Sequence, residues 1–79
     1  MTITVKYFAS MRDKMGRGED VVAVDGMTSM TVEDVWKKVN NGAGLPQNTL
    51  IAVNMEYTDG QHAVKDGDEL AFFPPVTGG

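Results

Sequence analysis

The chemistry of this chain points to its end. The last eight residues run Phe72-Phe73-Pro74-Pro75-Val76-Thr77-Gly78-Gly79. Two terminal glycines leave the α-carboxylate on a stalk without side chains, slim enough for a channel that excludes any Cβ. Pro74 and Pro75 fix φ and favour an extended, polyproline-like path. Residues 74 to 79 can reach about 20 Å at roughly 3.3 Å each. A stiff base, a thin tip and a free carboxylate form a probe whose reactive group is the chain end itself. The plainer alternative is a terminus that simply frays.

The other side chains offer little competing chemistry. The 79 residues contain no cysteine, so there is no disulfide, thiolate metal site or cysteine nucleophile. The single histidine, His62, has no recognisable triad partner and reads as an ordinary loop residue. Met11, Met15, Met27, Met30 and Met55 read as gap-fillers or surface residues rather than metal ligands, and no metal is expected. Asp66 and Asp68 look like paired carboxylates, but Gly67 between them favours a turn. Seven basic against eleven acidic residues give a formal charge of −4, which argues against nucleic acid. No stretch is long and apolar enough to span a membrane, and no secretion signal is recognisable; a cytoplasmic location is compatible.

Something must hold the base of that tail. Thr2 to Phe8 alternates as a strand, with Ile3, Val5 and Tyr7 on the core side and Phe8 left on the polar side. Ala9 to Met15 is expected as a short helix stopped by Gly16 and Gly18. Glu19 to Val24 reads as a strand whose register Val21, Val22 and Val24 leave open. Val32, Val35, Trp36 and Val39 recur at helical spacing, which predicts the main helix from Val32 to about Asn40 with Thr31 as N-cap. Leu50 to Val53 and Met55 to Tyr57 are short strand candidates, and Glu69 to Phe73 is the last strand. This order predicts an α+β fold, a mixed sheet with one main helix on one face. The helix should cover Ile3, Val5, Leu70 and Phe72. If the first and last strands are neighbours, Phe8 and Phe73 form an apolar patch on the other face, beside the tail.

With those residues in view, the chain resembles the small subunits of molybdopterin synthase, ubiquitin-like sulfur carriers of the β-grasp fold. The resemblance is sharpest from Asp66 through Phe72-Phe73-Pro74-Pro75 to Gly79, and returns in Val5-Lys6-Tyr7-Phe8-Ala9 followed by Arg12. It implies a β-grasp domain over residues 1–73 and a flexible tail over 74–79. It implies that a ubiquitin-activating-like adenylyltransferase uses ATP to place AMP on Gly79. A sulfur donor protein then leaves a thiocarboxylate there. The tail next enters the large synthase subunit, where sulfur passes to a pyranopterin and builds the dithiolene of molybdopterin. Gly78 gives slimness, and Thr77, Val76, Pro75 and Pro74 line the approach. Phe8, Tyr57 and Phe73 match the docking surface, and Arg12 matches a position that pairs with an acidic group on the partner. As a bare residue, Arg12 reads equally well as a solvated helix arginine.

The same resemblance implies two small and two large subunits and no stably bound cofactor, and the residue inventory, without cysteine and with a lone His62, implies no catalysis by this chain alone. Other roles share the Gly-Gly end: a sulfur carrier for thiamine or tRNA thiolation, or a protein modifier joined to lysines through Gly79. A passive interaction domain is the fourth reading.

Overall fold

A computed structural model describes residues 2–24 and 30–74. Along the chain these form β1 (Thr2–Tyr7), α1 (Ser10–Met15), β2 (Glu19–Ala23), β3 (Met30–Thr31) and α2 (Val32–Val39). Then follow β4 (Leu50–Val53), β5 (Glu56–Thr58), β6 (Ala63–Val64) and β7 (Glu69–Phe73). Five strands make one mixed sheet in the order β2-β1-β7-β4-β5, and β3 pairs with β6 in a two-stranded ribbon. No described helix is long and apolar enough to cross a membrane.

The centre of the sheet is the parallel pair β1 and β7, which sets Val5 opposite Leu70 and Tyr7 opposite Phe72. The remaining pairings in that sheet are antiparallel. Alternation along each strand sends Ile3, Val5, Leu70 and Phe72 to one face, where none retains solvent exposure. α2 covers them, as its spacing predicts. Val32, Val35 and Trp36 are buried, while Val39 is half-buried at the margin. The Trp36 ring meets Phe72 edge-on at 4.9 Å, and its indole N–H donates to the Gly44 carbonyl at 3.2 Å. That bond satisfies a polar group that burial would otherwise leave stranded. Val22 and Val24 join the core and Val21 faces solvent, which resolves the register that the three valines left open.

Local chemistry fixes the ends of α2. The Thr31 hydroxyl accepts the Asp34 N–H at 3.2 Å, and the Asp34 carboxylate accepts the Thr31 N–H at 2.9 Å. This reciprocal capping box satisfies two donors that the first turn leaves free. At the other end Asn41 and Gly42 take positive φ, and the Gly42 N–H closes on the Lys37 carbonyl at 2.8 Å. That is a Schellman closure, and it explains the stop at Asn40-Asn41-Gly42. α1 ends in the simpler left-handed cap at Gly16, with φ of 74° and its N–H on the Arg12 carbonyl at 3.0 Å. It begins one residue later than expected, because Ala9 takes φ of 52° and lies outside the helix.

Two strand boundaries differ from expectation. β2 ends at Ala23 rather than Val24. The candidate strand at Met55 instead runs Glu56–Thr58, because Asn54 and Met55 both take positive φ and form the turn from β4. The Asp66-Gly67-Asp68 turn is as expected, with Gly67 at φ 85°. Its carboxylates cap backbone: Asp66 accepts the Thr2 N–H and Asp68 accepts the Lys65 N–H.

The capping box gives a stability prediction. Its hydrogen bonds from Thr31 hold the Asp34 carboxyl below its ordinary value. A carboxyl depressed in the folded state stabilises fully above its unfolded value and loses that contribution as pH falls through the folded one. Thr31→Ala should cost about 1 kcal/mol, a fall of roughly 4–8 °C in midpoint for a domain this small. Asp34→Asn should show less loss of stability than wild type between neutral pH and pH below the ordinary carboxylate range. Thermal melts across that range check both, and parallel pH slopes for wild type and Asp34→Asn would contradict the assignment.

Candidate functional site

The sheet face turned away from α2 carries the candidate site. β1 and β7 leave the sheet side by side, so the residues just past Tyr7 and Phe72 emerge together. The Phe8 N–H donates to the Phe72 carbonyl at 3.1 Å, extending the ladder by one residue. The Phe8 and Phe73 rings therefore stack, with centroids 4.7 Å apart and planes 9° from parallel. Tyr57, on β5, tilts toward Phe73 at 6.2 Å. The structure brings these three expected docking residues into one cluster.

Between them lies an open groove of about 260 Å³. Ala52 and Ala71, cross-strand partners on β4 and β7, line its low middle, and Glu69 and Met55 complete it. Alanines there leave room for a guest side chain. Phe8 is 41% exposed, Tyr57 74% and Met55 91%. Three large apolar side chains beside one groove on so small a domain form a patch, not scattered exposure. A Lys6–Glu69 ion pair at 3.6 Å borders the patch. Both side chains are well exposed, so it contributes little stability.

Sequence reasoning missed Met55. Asn54 and Met55 are the two central residues of the β4–β5 hairpin, at φ 51° and 72°. Such a turn favours Asn-Gly. Asn54 suits it and anchors the loop: its side chain bonds Asp68 at 3.0 Å and accepts the Glu69 N–H at 3.0 Å. Met55 carries a left-handed cost of about 1 kcal/mol with no burial to offset it. The available signal was Asn54, a residue that tolerates positive φ, directly before Met55.

Arg12 does not line the aromatic groove. It is exposed on α1, against Gly18, in a separate shallow basin with Arg17, Asp13 and Gly16. Arg17 is engaged: its Nε donates to Asp20 at 2.6 Å and its guanidinium lies 5.8 Å from the Tyr7 ring centre. Arg12 makes no ion pair among the described residues. The Tyr7 hydroxyl donates to Asp20 at 2.8 Å, and burial, reinforced by that bond, pushes its pKa well above the ordinary phenol value. His62 is exposed with Nδ1 3.3 Å from the Thr58 hydroxyl. No group of three or more His, Cys, Asp or Glu is placed to hold a metal among the described residues.

Pro74 continues from β7 into a cleft beside Ser10, Met11, Lys14, Pro46 and Thr49. The other tail residues, Pro75, Val76, Thr77, Gly78 and Gly79, lie outside the described residues.

A mixed sheet with a central parallel pair and one main helix on one face defines the ubiquitin-like β-grasp class. Within it, this chain belongs to the ThiS family, whose model matches residues 5–79. It is 37% identical to the molybdopterin synthase sulfur carrier subunit of Escherichia coli K12, over 98% of this chain and 99% of that protein. Among solved structures it is similar to SAMP1 from Haloferax volcanii, with a TM-score of 0.76, 28% identity and full coverage of both chains. It also resembles a chain of the Amycolatopsis orientalis BexX/CysO complex, with a TM-score of 0.64, 29% identity, and 98% and 99% coverage.

The two aromatic faces should separate in stability. Phe72 supports the core, and Phe72→Ala should cost about 3–5 kcal/mol, enough to unfold much of a domain this size. Phe8 supports only a partly exposed stack, and Phe8→Ala should cost roughly 0.5–1.5 kcal/mol. Urea unfolding measures both. Equal losses would mean that Phe8 is a packing residue and that the open face is not spare for a partner.

Proposed function

We propose that this chain is a sulfur carrier, and specifically the sulfur carrier subunit of molybdopterin synthase. One observation carries the reading: the E. coli relative bearing that name aligns over nearly the full length of both chains. The aromatic groove supports it, because a carrier that visits several enzymes needs a recognition surface close to its reactive end.

The chemistry follows from the carboxylate of Gly79. A free α-carboxyl has an ordinary pKa of roughly 3.5 and is an anion at neutral pH, and a resonance-stabilised anion is a poor electrophile. An adenylyltransferase activates it: a carboxylate oxygen attacks the α-phosphorus of ATP, pyrophosphate leaves, and an acyl adenylate forms. Sulfide-level sulfur from a donor protein then attacks the acyl carbon, the acyl–phosphate C–O bond breaks, AMP leaves and a thiocarboxylate remains. The large subunit receives the tail and passes one sulfur to a pyranopterin, and a second charged carrier supplies the other sulfur of the dithiolene. The carrier contains no cysteine, so the sulfur travels on the main chain.

Each part of the chain has a proposed role. Gly78 and Gly79 are the slim tip, and Pro74, Pro75, Val76 and Thr77 are the approach. Phe8, Tyr57 and Phe73 dock the partner through the groove. Arg12, without an ion-pair partner among the described residues, meets an acidic group on that partner. Two carriers and two large subunits form the working assembly.

A second reading has its own support. Another solved structure it resembles, at a TM-score of 0.75 and 27% identity, is that of H. volcanii small archaeal modifier protein 1. A modifier uses the same acyl adenylate but passes its acyl group to a lysine amine, with AMP as the leaving group. Carrier and modifier therefore share the activation step and differ in the acceptor.

The test combines the chain, its activating enzyme, ATP, a sulfur donor, the large subunit and the pyranopterin precursor. Intact mass spectrometry should show one oxygen exchanged for one sulfur, and peptide analysis should place it on Gly79. Dithiolene formation should follow and should vanish for a chain lacking Gly79. A chain that never acquires sulfur but forms Gly79-dependent conjugates would overturn the carrier reading in favour of the modifier.

A further inference from the structure

Met55 occupies a position that favours glycine. It is the second central residue of the β4–β5 turn, at φ 72°, and is 91% exposed. Of the other described methionines, Met11 is buried at 4% exposure, and Met15 and Met30 are half-buried against the core. Met55 is therefore the described thioether most open to a solute oxidant. It also borders the groove of Phe8, Tyr57 and Phe73. No cysteine is available in the chain to intercept an oxidant first.

We propose that Met55 is an oxidation site at which hydrogen peroxide turns the thioether into a sulfoxide and weakens docking of the protein partner on the aromatic groove. The inference rests on the docking role proposed above, with the large subunit as the occupant. A sulfur lone pair attacks one peroxide oxygen, the O–O bond breaks, and an S–O bond forms. The other oxygen leaves as water once a proton has transferred. Sulfur is oxidised by two electrons and peroxide is reduced by two. The product replaces a flexible apolar group with a strongly polar one. Binding an apolar partner surface then requires that dipole to lose its water. A seated partner in turn shields the thioether, so a carrier travelling between enzymes is more vulnerable than a docked one.

The full chain, in its unsulfurated form, is treated with hydrogen peroxide alone and in complex with the large subunit. Intact mass is a poor readout, because adding oxygen and exchanging oxygen for sulfur give nearly the same change. Tryptic mapping is better: the peptide from Val39 to Lys65 contains Met55 as its sole methionine. Met55 should oxidise at least about tenfold faster than Met11 in the free chain, and about tenfold more slowly once the partner is bound. The isolated sulfoxide form should bind the large subunit about fivefold more weakly or worse by calorimetry. Met55→Leu should show the same affinity before and after peroxide, whatever that affinity is. Equal oxidation of Met55 and Met11, no protection in the complex, or unchanged affinity of the sulfoxide form would overturn the proposal while leaving the carrier reading intact. A peroxide-sensitive Met55→Leu chain would do the same. An untreated chain that does not bind the large subunit at all would sink both.

Discussion

The register of β1 against β7 is the constraint on which the rest depends. Pairing Val5 with Leu70 and Tyr7 with Phe72 sends Ile3, Val5, Leu70 and Phe72 inward together. Trp36 and its helix close over them. The same register sets the outward-facing Phe8 and Phe73 in one stack where the two strands leave the sheet. Side chains alternate with a period of two, so a slip by one residue would turn the core set outward and the stack inward. Core and aromatic groove are thus two consequences of one set of backbone hydrogen bonds.

The division between faces also explains why so small a domain tolerates exposed aromatic surface. Its stability resides on the α2 side, in a core of tightly packed apolar side chains and a helix capped at both ends. The open face is free to meet other requirements. Phe8, Tyr57 and Met55 remain substantially in solvent, and the turn that presents Met55 holds a backbone conformation suited to glycine. Exposed apolar area and unrelieved strain near one groove are features that association with a partner would use.

Much of this was legible in the residues because strong periodicity has one reading. Val32, Val35, Trp36 and Val39 specify a helix face, and Asn40-Asn41-Gly42 its end. Ile3, Val5 and Tyr7 specify a strand face and leave Phe8 outside it. The ribbon of β3 and β6 was not legible, since two-residue strands carry no pattern and arise from long-range pairing. The face of β2 was ambiguous because Val21 and Val22 are adjacent and equally apolar; only pairing of Val22 with Ile3 selects between them. Met55 stands outside the strand expected over Met55 to Tyr57, because Asn54 and Met55 take positive φ and Asn54 bonds Asp68. The tail was the clearest signal in the sequence, but Pro75 to Gly79 lie outside the described residues, so its role rests on chemistry and on relatives.

The most direct measurement is a double-mutant cycle on partner affinity with Phe8→Ala, Phe73→Ala and the double variant, each first shown to be folded. If the strand register makes the two rings a single docking unit, each single change should weaken binding to the large subunit. The double change should then cost clearly less than the sum, with a coupling of about 0.5 kcal/mol or more. Binding unaffected by either change, or losses that simply add, would contradict it.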